Sequence, residues 1–437
     1  MSNLNTLPKY DAYKDSGDKW IGEIPASWEL TKLGSTLKPV SEKNHPELQL
    51  LSITREKGVI VRDTEDQDEN HNYIPDDLSG YKLLKKGQFG MNKMKAWQGS
   101  YGVSDHKGIV SPAYYIFDFL KPIHPAYFHK AIRSKLYVSY FGSASDGVRV
   151  GQWDLNKTRM KTIPFLVPPL EEQEAIAKFL DRKTNQIDQA VAIKEKQIEL
   201  LKERKQILIQ NAATRGLDPD VPMKDSGVDW IGDIPEHWCI KNFTKEIFVQ
   251  EGPGIMAVDF HEKGVPLIRI SGVKGAFVTK EGCNFLHQLK VKSKWNHFRL
   301  DKGDLVISGS ASTDLVSEVD EETEGCILYT GLIRLKEKTD SINRSYLKIF
   351  LGSQLFFTQI DLQKTGSTIS HYGPSHLGSM FLVLPPVSEQ IKIAKYVEKE
   401  QVKIHRGMEH IEEQIVKLKE YKATLINSAV TGKIKVM

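Results

Sequence analysis

Cysteine is nearly absent. Cys239, Cys283 and Cys326 are the three in 437 residues, widely spaced, odd in number and never paired as Cys-x-x-Cys. That spacing speaks against a disulfide framework and a cysteine zinc site, and it fits a reducing compartment, so a cytoplasmic location is expected. Long apolar runs are missing too. No stretch approaches the roughly 20 consecutive apolar residues that span a bilayer. Met1–Tyr10 has neither an apolar core nor a small-residue cleavage site, so no signal peptide is expected. A strong excess of one charge is also lacking: 60 Lys+Arg against 56 Asp+Glu leave +4, too little to argue for nucleic acid by itself.

Catalytic signatures are the last absence. There is no Gly-x-x-x-x-Gly-Lys-Ser/Thr phosphate loop, no Gly-x-Gly-x-x-Gly after a strand and no Gly-x-Ser-x-Gly elbow. The Asn/Asp-Pro-Pro-Tyr/Phe tetrapeptide that an amino-methyltransferase uses to hold its target nitrogen does not occur. The 13 histidines form no His-x-x-x-His or His-x-His pair, and Pro75-Asp76 is not followed by the Asp/Glu-x-Lys of a metal nuclease. No catalytic residue and no metal ligand is therefore assigned. The sequence offers binding surfaces rather than a reaction centre.

What is present is a duplication. Residues 14–28, Lys-Asp-Ser-Gly-Asp-Lys-Trp-Ile-Gly-Glu-Ile-Pro-Ala-Ser-Trp, return at 224–238 with ten of fifteen positions identical. Pro168-Pro169-Leu170-Glu171-Glu172-Gln173 recurs as Pro385-Pro386-Val387-Ser388-Glu389-Gln390, and Asn211-Ala212-Ala213-Thr214 as Ser428-Ala429-Val430-Thr431. Between these landmarks, 29–167 and 239–384 show almost no similarity. The shared parts must do one job twice, and the dissimilar parts analogous jobs on different targets.

Each Pro-Pro opens a long helix, with Glu171, Glu172 and Glu389 at the positive end of its dipole. Apolar residues then recur in steps of three, four and seven: Ile176, Leu180, Ile187, Val191, Ile198, Leu201 and Leu208 in the first, and Ala394, Val397, Ile404, Met408, Ile411, Ile415, Leu418 and Leu425 in the second. This is the seam of a coiled coil. Neither stripe can stay exposed, so the two helices are expected to pack on each other, antiparallel, with Gly407 the one weak point. The segments between the helices read as α/β (α+β): short apolar runs at 49–53, 114–117, 265–270 and 304–308 bounded by turn residues, with helical pieces near 125–140 and 345–362. Four regions follow: a globular domain at 1–167, a helix at 168–215, a second globular domain at 216–384 and a C-terminal helix at 385–437.

Dividing the charge is more informative than summing it. Residues 1–170 hold 23 bases and 19 acids, while 216–387 hold 18 and 22. Within each, the signs segregate. Lys82, Lys85, Lys86, Lys93, Lys95 and Lys107 share their stretch with the single acid Asp105, and eight bases between Lys263 and Arg299 face the single acid Glu281. Acids cluster instead in Asp63–Glu69 and Glu318–Glu324. Basic faces of this kind suit a phosphate backbone, where contacts position a protein without reading sequence. A solvated face of mixed charge is the alternative.

With Asp-Ser-Gly-x-x-Trp-Ile-Gly-x-Ile-Pro-x-x-Trp at Asp15–Trp28 and Asp225–Trp238, and Pro-Pro-x-x-Glu-Gln at Pro168 and Pro385, the chain resembles the DNA-specificity subunits of type I restriction–modification systems over essentially its whole length. The resemblance implies two target-recognition domains joined by two conserved helices with pseudo-twofold symmetry. Each domain would read one half of a split DNA target, and the helices would set the gap. It implies a non-catalytic subunit whose partners are double-stranded DNA, two methyltransferase subunits and, through them, motor-nuclease restriction subunits. S-adenosylmethionine, ATP and Mg²⁺ would belong to those partners, this chain binding no cofactor, and the expected methylation is of adenine N6. Arg149 and His371 lie where the family has polar loop residues facing DNA. Lys93, Lys95, Lys292 and Lys294 are candidates for phosphate contact. Trp20, Trp28, Trp230 and Trp238 could dock a partner or fill a core. Two rival readings stay open: a coiled-coil scaffold that never touches DNA, and a stand-alone nuclease with an unrecognised site.

Overall fold

The computed structural model describes residues 7–63, 74–147, 153–309, 316–363 and 372–436. Two long helices run from Leu170 to Thr214, 45 residues, and from Val387 to Val430, 44 residues. At 1.5 Å per residue each is about 65 Å long. Neither is uniformly apolar enough to cross a membrane, nor is any other helix among the described residues. Every expected seam position is buried or half-buried, from Ile176 and Leu180 to Val397 and Leu425, and Gly407 is helical like its neighbours.

The chain divides into two compact units, and the division cuts both helices near their middles. The first comprises Met1–Glu195 and Glu412–Met437, the second Lys196–Ile411. In the first unit, Lys422 pairs with Asp188 at 2.6 Å and Lys419 with Glu195 at 3.7 Å. In the second, Leu201 lies beside Gly407 and Lys205 beside His405. Numbers rise on one helix as they fall on the other, so within each unit the helices run antiparallel.

In the first unit, a hairpin of Tyr13–Asp15 and Glu23–Pro25 precedes the strand Glu29–Lys32, which pairs antiparallel with Pro164–Val167. A four-stranded antiparallel sheet follows in the order Leu37–Val40, Tyr114–Phe119, Phe89–Asn92, Tyr101–Val103. Helices Pro125–Ile132 and Lys135–Ser143 bury Tyr127, Phe128, Tyr137 and Phe141. These rings meet Phe89, Tyr101 and Phe165 in one aromatic core.

The second unit repeats the plan. Met223–Asp225 pairs with Asp233–Pro235, and Cys239–Asn242 with Phe381–Leu384. Its sheet runs Ile247–Glu251, Leu332–Glu337, Leu305–Ser308, Ser317–Glu318, and its helices are Arg344–Leu351 and Gln354–Leu362. Although Ile240–Thr244 differs from Leu30–Gly34, both strands pair with the strand that leads into Pro-Pro. The units diverge in the stretch between the first and second strands of the sheet. The second builds there another four-stranded sheet (Phe260–His261, Asn284–Leu286, Val265–Ile268, Ile327–Leu328) with its own core of Ile255, Val265, Leu267, Leu286, Val291 and Ile327. The first instead pairs Leu51–Thr54 with Gly58–Val61 and Lys82–Leu84 with Gly108–Val110.

Candidate nucleic-acid interface

The repeated landmarks resolve into fold before they resolve into contact. Trp28 is 0% exposed and Trp238 1%. Each packs by the glycine that ends a long helix: Trp28 by Gly432, Trp238 by Gly216. Trp238 also donates its indole N–H to Glu389 at 3.1 Å. Burying an indole of about 200 Å² contributes on the order of 5 kcal/mol, enough to explain the second tryptophan of each motif as a core residue. The first differs. Trp20 is 53% exposed, its ring 4.7 Å from that of Tyr140, and Trp230 is half-buried against the second unit's core.

The lysine candidates fall in two settings. Lys93 and Lys95 lie in the turn between the strands Phe89–Asn92 and Tyr101–Val103. Lys93 pairs with Asp154 at 3.2 Å, its carbonyl accepts the Leu155 N–H at 3.1 Å, and Trp97 of the same turn packs on Trp153 at 5.1 Å. Ser145–Asp146 pairs with Asp154–Leu155, so the strands that flank the run holding Arg149 are anchored to this turn. Arg149 itself, with His371 and the run 64–73 that holds most of the Asp63–Glu69 acids, lies outside the described residues.

The second unit repeats the anchor. Tyr372, the first described residue after His371, donates its N–H to the Gly309 carbonyl at 2.8 Å. Gly309 follows Leu305–Ser308 as Lys93 follows Phe89–Asn92. In both units, therefore, the chain before the last strand is tied to the turn after the same sheet strand, although no residue there is shared. Lys292 and Lys294 lie elsewhere, exposed on the turn Val291–Trp295 of the additional sheet. In the acidic run at Glu318–Glu324, half-buried Glu318 binds Lys348, and exposed Glu321 binds Lys302 at 2.6 Å.

The shifted groups His129 and Glu246 are structural. A cleft of about 460 Å³ in the first unit is lined by His129, Asp105, Lys130 and Asp181. Burial, then the nearby Arg133 and Lys130, push the His129 imidazole down to about 4, and its Nδ1 accepts the Val103 N–H at 3.2 Å. In the second unit, Glu246 is buried, which alone would raise its carboxyl. Hydroxyls of Ser341 and Thr339 and the Lys241 ammonium donate to it, overcome that penalty and hold it at about 2. Among the described residues no group of three or more His, Cys, Asp or Glu converges as a metal site.

Two residue pairs escaped the sequence reading. Gln173 and Gln390 were visible as motif letters, but not that they accept the His124 and Asn343 N–H groups at 2.8 and 2.7 Å. Tyr127 and Tyr346 donate to the Leu166 and Val383 carbonyls at 3.0 and 2.9 Å. A tyrosine in the same turn of the first helix of each lobe was the available signal, submerged because its neighbours differ.

Residues 123–203 match the family model described as the type I restriction modification DNA specificity domain. The type I restriction enzyme MjaVIII specificity subunit of Methanocaldococcus jannaschii is 26% identical over 309 residues, 69% of this chain and 69% of that protein. The putative MjaX specificity subunit of the same organism is 24% identical over 95% of this chain and 96% of its own. The EcoKI specificity subunit of Escherichia coli K12 is 27% identical over 61% and 56%. Among solved structures, a chain from work on complex assembly and conformational transition of the type I R-M system superposes with a TM-score of 0.70 at 15% identity, covering 93% of this chain and 98% of that one. The HsdS subunit from Thermoanaerobacter tengcongensis gives 0.55 at 15%, over 94% and 98%. These likenesses show a shared fold.

Proposed function

We propose that this chain is a DNA-specificity subunit of a type I restriction–modification system, in which each lobe reads one half of a bipartite DNA target while the paired helices set the spacing between the halves. The observation that carries the reading is the equivalent anchoring of two unlike loops, at Lys93–Leu155 and Gly309–Tyr372. One scaffold presents two different surfaces, as two different half-sites require. Within those surfaces Arg149 and His371 are assigned to base edges, where arginine pairs well with guanine. Lys93, Lys95, Lys292 and Lys294 are assigned to phosphates, with Lys93 exchanging its Asp154 partner for DNA.

The chain acts without chemistry of its own. Two methyltransferase subunits dock on its repeated parts, since identical partners need equivalent surfaces, and exposed Trp20 is the motif residue best placed to meet one. Restriction subunits join through them. S-adenosylmethionine, ATP and Mg²⁺ belong to those partners, and the target adenine is flipped into a partner's pocket.

The test is to assemble the chain with the methyltransferase subunits of its own system and map the methylated adenines. The expected result is a two-part motif with unlike halves. Removing two turns from 183–205, with a matched deletion in the C-terminal helix, shortens each rod by about 10 Å and should shorten the gap by about three base pairs, leaving both halves unchanged. A contiguous motif, or methylation independent of this chain, overturns the reading.

A further inference from the structure

We propose that the first lobe seats a backbone phosphate of the DNA duplex in a lysine-rimmed pocket made by Lys82, Lys157 and Tyr115. This rests on the reading above and adds residues that it does not use. The pocket, about 320 Å³, lies at the edge of the first unit's sheet, with Pro39, Val40 and Met160 as its apolar wall and Lys161 beside Lys157 at its rim.

The cations here are crowded rather than compensated. Lys82 donates to the Tyr114 carbonyl at 2.7 Å, and Lys157 stands over the Tyr115 ring, 4.1 Å from its centre. Burial, then the charges of Lys43 and Lys157, lower the Lys82 ammonium from its ordinary value. Four other lysines of this lobe have carboxylate partners, Lys85 with Glu42, Lys93 with Asp154, Lys121 with Glu29 and Lys130 with Asp181. Among the described residues no carboxylate lies within ion-pair distance of Lys43, Lys82 or Lys157. Lys82, Lys157 and Lys161 line the pocket and Lys43 adds its charge to that felt by Lys82; this gathering of ammonium groups disfavours the empty state, and an anion entering removes that repulsion. A phosphate diester supplies acceptor oxygens for two lysines, with the Tyr115 ring holding one of them in place.

Position selects the duplex as the source of that phosphate. Tyr114 pairs with Asn92, next to Lys93, and Lys157 follows Asp154–Leu155, the strand after the run that holds Arg149. The pocket is thus continuous with the surface assigned to the first half-site. At the matching place in the second unit's sheet, the strand begins with buried Leu332 and Ile333 in place of Tyr114 and Tyr115, so the contact belongs to one half-site.

The experiment uses the assembled methyltransferase complex and compares wild type with K82A, K157A and the double variant in duplex binding across a salt series. Each lysine removed should make the slope of log K against log salt shallower by about 0.9. Affinity should fall alike for cognate and altered sequences, and the methylated motif should not change. Neutral methylphosphonate links beside the first half-site should abolish the difference between wild type and double variant, while the same links beside the second should not. An unchanged slope in a double variant that melts like wild type overturns the proposal. So does a pocket that responds to inorganic phosphate, read as a melting shift lost in the double variant, with the salt slope unaltered. Wild-type complex that fails to bind duplex at all would instead sink the underlying reading, and this inference with it.

Discussion

The side-chain oxygen of Gln390 accepts the backbone N–H of Asn343 at 2.7 Å. The amide nitrogen of the same glutamine donates to the carbonyls of Ser341 and Pro385, both at 2.8 Å. Gln173 does the same in the first unit, accepting the His124 N–H and donating to the Pro168 carbonyl, each at 2.8 Å. Both side chains are buried. The last letter of Pro-Pro-x-x-Glu-Gln is therefore a clamp that fixes the start of a long helix to the segment that opens the lobe's own helices. A carboxamide suits this place because it donates and accepts at once without bringing a charge into the core.

Q173L and Q390L should each destabilise their own unit by about 2–3 kcal/mol, because each strands buried backbone groups. Thermal melting gives the size of the loss. Hydrogen exchange should localise it, with amides at 123–132 exposed in the first variant and 342–351 in the second. Uniform loss of protection across both units would contradict the local role.

Gly216 and Gly432 end the two long helices with φ of +74° and +71°, a left-handed conformation that glycine adopts without strain. An added Cβ at Gly216 would sit 2.9 Å from the Glu389 carboxylate and 3.0 Å from the Trp238 ring. At Gly432 it would sit 2.3 Å from the Pro25 ring. G216A should cost about 1–2 kcal/mol from backbone strain, and G432A more, because a proline ring yields less than a carboxylate. Equal melting points for the two variants would count against this packing.

The two units should respond to acid in different windows. His129 is held near 4, below the usual 6.5, so its neutral form favours the fold. Its contribution is complete above 6.5 and is lost as pH falls from 6.5 towards 4. Glu246 is held near 2, below 4.5. Its contribution is complete above 4.5 and is lost between 4.5 and 2. H129N should flatten the first step of a pH–stability profile and E246Q the second. A profile that either variant leaves unaltered would show that the group does not titrate with folding.

Much of the architecture was legible from pattern. The seam positions Ile176, Leu180, Val397 and Ile404 are buried where the three-four-seven spacing put them. Lys85-Lys86-Gly87 and Asp301-Lys302-Gly303 are turns into strands, with φ of +86° at both glycines. The helical stretch at 125–140 comprises two helices, broken at Arg133 and Ser134, and that at 345–362 also two, broken at Gly352 and Ser353. Apolar periodicity runs across such a break without marking it. The functional surface was less legible. Lys93 and Lys292 read alike as lysines in basic stretches, yet the first pairs with Asp154, 61 positions away, and the second stands exposed on the helical turn Val291–Trp295.

The chain alone determined its twofold organisation, its long helices and the faces they bury, because repetition and periodicity are properties of neighbouring residues. Only the tertiary structure decided that two dissimilar lobes share one strand order, that Trp28 and Trp238 are core while Trp20 is exposed, and that Lys82 and Lys157 meet at one pocket. Many apolar sequences of the right volume fill the same sheet, and which charges become neighbours depends on contacts dozens of residues apart, which no local pattern records.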